Sequence, residues 1–112
     1  MDYRPLTPDF AVAGQIAPEQ IAEIKAAGYR SVICNRPDNE QPGQPSVASV
    51  RAAAEAAGLA FRHIPVSGGI FTPDAVAATA AALEELEGPI FAYCRSGARS
   101  TTLFTMAQQS RR

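Results

Sequence analysis

One pattern recurs three times along this chain: an alanine-rich stretch, a glycine, then a short apolar run. It runs as Pro18–Ala27, Gly28 and Ser31–Cys34, then as Ser46–Ala57, Gly58 and Leu59–Val66. The third copy is Thr72–Glu87, Gly88 and Pro89–Cys94. Each alanine-rich stretch predicts a helix with readable ends. Pro18 suits a first turn, Ser46 and Thr72 suit N-caps, and Pro73 falls just inside the third helix. The glycines suit the position after a helix, where φ is positive. Ile16, Ile21 and Ile24 fall on roughly one face of the first helix. The apolar runs are rich in Val, Ile and Phe, as buried strands are. Helices alternating with such strands predict an α/β fold with a mainly parallel sheet of about four or five strands, covered by helices on both faces. A first strand is expected at Phe10–Ala13, and a last helix from near Arg99 to about Gln109. Asn35–Pro45 holds three prolines and a glycine and reads as an irregular loop. No linker or low-complexity stretch interrupts the chain, so one domain over residues 1–112 is expected.

Composition removes several function classes. The net charge of -1 argues against nucleic acid or an acidic membrane surface as partner, and the terminal Arg111-Arg112 pair is too short to change this. With 46% hydrophobic residues, a packed core is expected rather than disorder. Met1–Pro5 has no apolar segment of the secretory kind, and no stretch is long enough to span a bilayer. A cytoplasmic location is therefore expected, with Cys34 and Cys94 as free thiols. Two cysteines and one histidine are too few for a zinc site, and no metal or cofactor is expected.

The chemistry concentrates in Cys94-Arg95-Ser96-Gly97-Ala98-Arg99-Ser100. A cysteine ends a predicted strand, a small-residue turn follows, and a helix begins. Ligands of open parallel sheets bind at the carboxyl ends of strands. The first helix amides are unpaired and favour an anion or a thiolate there. Gly97 lets successive N–H groups converge, and Arg99 can grip a tetrahedral oxyanion with two donors. Such surroundings lower a thiol from near 8.5 to about 3.5–7.5. Cys94 is thus the candidate nucleophile and Arg99 the candidate anion ligand. A cysteine at a strand end is often mere packing. Two arginines flanking a glycine turn make little sense beside an inert core thiol. Arg95 is either a pocket residue or a solvated charge. Ser100 either hydrogen-bonds the sulfur or simply starts the helix.

This loop resembles two groups of cysteine enzymes. One is the rhodanese sulfurtransferases, whose loops read Cys-Arg-x-Gly-x-Arg-Ser. The other is the tyrosine and dual-specificity phosphatases, which use His-Cys-x5-Arg. The order Arg62-His63-Ile64-Pro65-Val66, a helix after Thr72, then Pro89–Cys94 resembles the dual-specificity phosphatases. Together with Asn35-Arg36-Pro37-Asp38, the pattern from Tyr3 to Met106 resembles the DUF442 family. That family is the phosphatase-like domain also found joined to metallo-β-lactamase-like hydrolases in bacteria, which makes such a hydrolase an expected partner. Three departures from the phosphatase pattern matter. Only four residues separate Cys94 from Arg99, Tyr93 stands in place of histidine, and Gly68 stands where the phosphatases carry their acid. A missing general acid costs about 10²–10⁴ in rate.

These departures favour sulfur transfer as the expectation. The Cys94 thiolate would take sulfur from a small anionic donor and pass it to a thiol acceptor. Hydrolysis of a phosphoester on a shortened loop is the alternative, and a module that only binds an anion or a partner protein is the third. Asp38 and Asp74 are the candidate general acids, against plainer roles as a turn residue and a helix first-turn acid. Cys34 is either a resolving thiol or core packing, and His63 reads as a surface or capping residue. Asn35, Arg36 and Asp38, whose loop follows a strand end, either line the pocket or brace the fold, and Ser67–Gly69 reads as a flexible loop near the pocket that gives room for a substrate.

Overall fold

A computed structural model describes residues 1–111; Arg112, half of the terminal arginine pair, lies outside the described residues. The strands are β1 (Arg4–Thr7), β2 (Phe10–Ala13), β3 (Ser31–Cys34), β4 (Ala60–His63) and β5 (Ile90–Tyr93). They form one sheet in the order β1-β2-β5-β3-β4. β1 runs antiparallel to β2, and every other pairing is parallel. The helices are α1 (Ile21–Ala26), α2 (Val47–Ala56), α3 (Pro73–Glu85) and α4 (Ala98–Ser110), with a short 3-10 turn at Pro18–Gln20 leading into α1.

The alternation of side chains along the strands sorts the core into two layers. Ala11, Val32, Phe91 and Tyr93 pack with Ile21 and Ile24 of α1 and Val47, Val50 and Ala54 of α2. Phe10, Val12, Ile33, Ile90 and Ala92 pack with Ala75 and Ala82 of α3 and Leu103 and Phe104 of α4. Both faces of β2, β3 and β5 are therefore buried, which is why these runs are apolar but for Ser31, whose hydroxyl donates to the Glu87 carbonyl. Among the described residues, no helix is long and apolar enough to cross a membrane.

Helix punctuation follows the sequence with one exception. The Ser46 hydroxyl accepts from the Ser49 amide and the Thr72 hydroxyl from the Ala75 amide, so both cap their helices. Gly28 and Gly58 take φ of 102° and 83°, as positions after a helix do. Gly88 does not. α3 stops at Glu85, Leu86 is already extended, and Gly88 leads into the strand with ordinary φ. The third glycine is thus a strand entry rather than a helix stop. β1 was not foreseen, because Pro5 sits within it; its place on the sheet edge is where a strand tolerates proline. The expected strand Leu59–Val66 shortens to Ala60–His63. Beyond it, the Ile64 and Val66 amides still bond to the Cys34 and Asn35 carbonyls.

Candidate active site

The parallel order places the ends of β5, β3 and β2 side by side, and the loop from Cys94 crosses their tips. Neighbouring strands hold that loop from behind. The Cys94 amide bonds to the Ala13 carbonyl at 3.2 Å, and the Gln15 amide to the Arg95 carbonyl at 3.3 Å. Gly14 and Gly97 make this approach possible. A Cβ on Gly14 would meet the Arg95 oxygen at 3.0 Å, and one on Gly97 the Ala13 backbone at 3.4 Å. Gly97 also takes φ of 93°, which curls the loop into α4.

Gly97 is the N-cap of α4 and has no side chain to offer the helix. The Cys94 sulfur accepts the Gly97 amide instead, at 3.1 Å. Cys94 has no exposed surface, yet its neighbours are amides rather than hydrocarbon alone. Burial pushes the thiol up. Hydrogen bonds from the backbone at Ser100 and Ser96, from the Ser100 hydroxyl and from the Gly97 amide outweigh it and hold the thiol below its ordinary value. Charge-assisted donation at a helix N-terminus is the physical cause. The Ser100 hydroxyl also donates to Asn35 Oδ1 at 2.8 Å. It has one proton, so donation to Asn35 and to the sulfur alternate, and the amides carry the steady part of the effect.

The other predicted residues fall in several places. Ser96, Gly97, Ala98 and Ser100 line the turn, with Gly97 and Ser100 buried and Ser96 and Ala98 exposed. Arg95 is exposed. Arg99 points back across the loop to Glu40, donating Nη1 to Oε2 at 3.0 Å and Nη2 to Oε1 at 2.8 Å. Nη1 donates also to the Val66 carbonyl. Asp38 is engaged elsewhere: its carboxylate accepts the Val47 amide at 2.8 Å, at the start of α2. Asp74 sits exposed in the first turn of α3. Neither carboxylate contacts the sulfur. The plainer reading of each, a loop or helix-start acid, accounts for its surroundings.

Cys34 donates to the Arg36 carbonyl at 3.2 Å, and burial pushes its thiol up. Tyr93, its register partner on β5, is itself raised by burial and by this thiol. Both cysteines are free. His63 Nε2 lies 2.9 Å from the Arg36 carbonyl; a carbonyl only accepts, so that nitrogen carries the proton. Asn35 is buried and ties Ser100 to the Ile64 carbonyl.

Sequence reading missed Glu40. It lies in the proline-rich loop, where no periodicity marks a residue. The available signal was its place four residues after Arg36, with which it pairs at 2.7 Å. A groove of about 410 Å³ runs beside the loop, lined by Tyr3, Arg4, Gly14, Gly97 and Ala98. A larger depression of about 570 Å³ lies by Asp9, Gly88 and Ile90, at the opposite end of the strands and away from this chemistry.

A mainly parallel sheet with a cysteine at a strand tip, an amide-lined turn and an arginine on the following helix defines a domain of the tyrosine and dual-specificity phosphatase architecture. The chain belongs to the family described as the phosphatase-like domain of β-lactamase hydrolase-like proteins, which it matches over residues 2–111. It is 39% identical over 97 residues to a β-lactamase hydrolase-like protein of Agrobacterium fabrum, covering 87% of this chain and 22% of that protein. It thus spans less than a quarter of that relative. A solved structure from Neisseria meningitidis, described as a candidate phosphatase, matches with a TM-score of 0.82 at 30% identity, over 90% of this chain and 72% of the other. The catalytic core of the PP-IP phosphatase Siw14 from S. cerevisiae matches in fold, with a TM-score of 0.68 at 15% identity, over 96% and 64% of the two chains.

Proposed function

We propose that this domain, taken as a single unit, hydrolyses phosphate monoesters through a covalent phosphocysteine on Cys94. The observation that carries the reading is the Cys94 sulfur held at 3.1 Å from the Gly97 amide at the start of α4. The thiolate attacks phosphorus, the bond to the ester oxygen breaks, and that oxygen takes a proton from water. The loop amides of Ser96–Ser100 and the Arg99 guanidinium hold the non-bridging oxygens. Water then attacks phosphorus, the sulfur–phosphorus bond breaks, and inorganic phosphate leaves. The Ser100 hydroxyl turns from Asn35 to the departing thiolate and stabilises it. Arg95, exposed at the rim, attracts the anionic substrate. Because Cys94 has no exposed surface, rim side chains must part for the substrate to reach it.

Among the described residues no carboxylate is hydrogen-bonded to the sulfur; Asp38 accepts the Val47 amide and Asp74 lies in the first turn of α3. Substrates whose leaving group needs no proton are therefore favoured, aryl phosphates above alkyl phosphates. Sulfur transfer, the first expectation from the short loop, gains no support from these relatives, which carry phosphatase descriptions. A metallo-β-lactamase-like hydrolase as partner belongs to the same proposal, supported by the name borne by the Agrobacterium relative.

Steady-state turnover of an aryl phosphate tests the reading. Wild type should turn over, Cys94→Ser should lose the activity, and Arg99→Ala should fall about 10²–10³-fold in kcat. Equal rates for wild type and Cys94→Ser would remove it.

A further inference from the structure

Arg99 does not stand alone beside the loop. Its guanidinium has five N–H donors. Nη1 uses both of its donors, on Glu40 Oε2 and the Val66 carbonyl, and Nη2 uses one, on Glu40 Oε1. Among the described residues the two donors left without a partner are Nε–H and the outer Nη2–H. They lie on one edge of the planar group, parallel, as a fork for two oxygens. Glu40 therefore occupies the end of the guanidinium and leaves its side open.

Glu40 is itself held. Its Oε1 accepts Arg36 Nε at 2.7 Å. Arg36 is 1% exposed, and its remaining nitrogens donate to Gln15 and Gln41 at 3.0 Å each. This chain of groups runs from the buried end of β3 to the rim of the loop. We propose that Glu40 is a positioning residue, which, braced by Arg36, fixes the open fork of Arg99 toward the anion seated over Cys94. The proposal rests on the anion-binding role given to Arg99 above.

A flexible arginine holds one geometry only by losing rotamer freedom, and a braced one has lost it before the ligand arrives. Glu40 supplies that bracing from a sequence-distant loop. The rival account, that the carboxylate competes with the substrate for Arg99, predicts the opposite sign of effect when Glu40 is neutralised.

Alkylation of Cys94 separates these without needing turnover. Iodoacetate and iodoacetamide share a leaving group, and only the first carries an anion for the Arg99 fork. The ratio of their rates should favour iodoacetate in wild type. In Glu40→Gln it should fall about tenfold, and kcat/KM for an aryl phosphate should fall up to about 10²-fold, as misplacement of a positioning group does. Glu40→Asp keeps the charge at shorter reach and should lie between. A general loosening of the fold would raise both alkylation rates together and leave their ratio, so it is told apart from lost positioning. An unchanged or increased ratio in both variants would overturn the proposal. Absent phosphatase turnover with a falling ratio would instead overturn the phosphatase reading and leave Glu40 in its place.

Discussion

Two thiols in one small fold differ by what surrounds them. Cys94 is buried but faced by amides, and its thiol is held below its ordinary value. Cys34 is buried with fewer donors, and its thiol is pushed up. In an iodoacetamide titration Cys94 should therefore be modified at lower pH than an ordinary thiol, and Cys34 only at higher pH. Mapping the modified residue by mass at several pH values checks this; equal onset at both sites would contradict it. Glu40 gives a second pH signature. The Arg99 guanidinium, with a smaller share from Arg36, prevails over burial and holds its carboxyl at about 2. The unfolded chain keeps more protons on this group than the folded one between pH about 4.5 and about 2, so stability is lost as the pH drops through that window. Glu40→Gln should flatten the acid limb of the stability curve there, measured by urea unfolding at stepped pH. At this scale the turn from Cys94 through Gly97 to Arg99 was legible, because a loop of that kind needs those residue types at that spacing. Glu40 was not, because an ion pair across 59 positions leaves no local pattern.

The cap on α2 links an element to the question of the missing acid. Asp38 accepts the Val47 amide while Ser46 accepts the Ser49 amide, so two side chains serve one helix start. Asp38→Ala should cost about 1 kcal/mol of stability, as lost caps do. It should leave kcat within a few-fold, whereas loss of a general acid would cost about 10²–10⁴. A fall of the larger kind, at unchanged fold, would make Asp38 the acid. Helix starts were legible here through Ser46, Thr72 and Pro73, since capping is local chemistry. Two things were not. Gly88 looked like the other stop glycines, but α3 ends before it, so only the backbone could tell them apart. β1 was hidden because an edge strand needs no apolar alternation and admits Pro5.

Across the whole molecule, a sheet buried on both faces is what brings a core strand end, a loop and a helix start to one point. Phe91 lies at its centre with no exposed surface, in edge contact with Tyr3 and Tyr29 at centroid distances of 5.6 and 5.4 Å. Phe91→Ala should cost about 3–5 kcal/mol, a large share of the roughly 5–15 kcal/mol that domains have, and thermal unfolding reads it directly. The layered α/β plan was legible because apolar runs alternate with capped helices. The strand order was not, since it is set by which helices cover which face. Wild type and Cys94→Ser can each be mixed with an aryl phosphate, and in parallel with thiosulfate, then acid-quenched and weighed intact. Wild type alone should gain one phosphoryl group, and neither protein should gain sulfur. A sulfur atom taken up by Cys94, with no phosphoryl adduct and no phosphate released, would contradict the phosphatase reading.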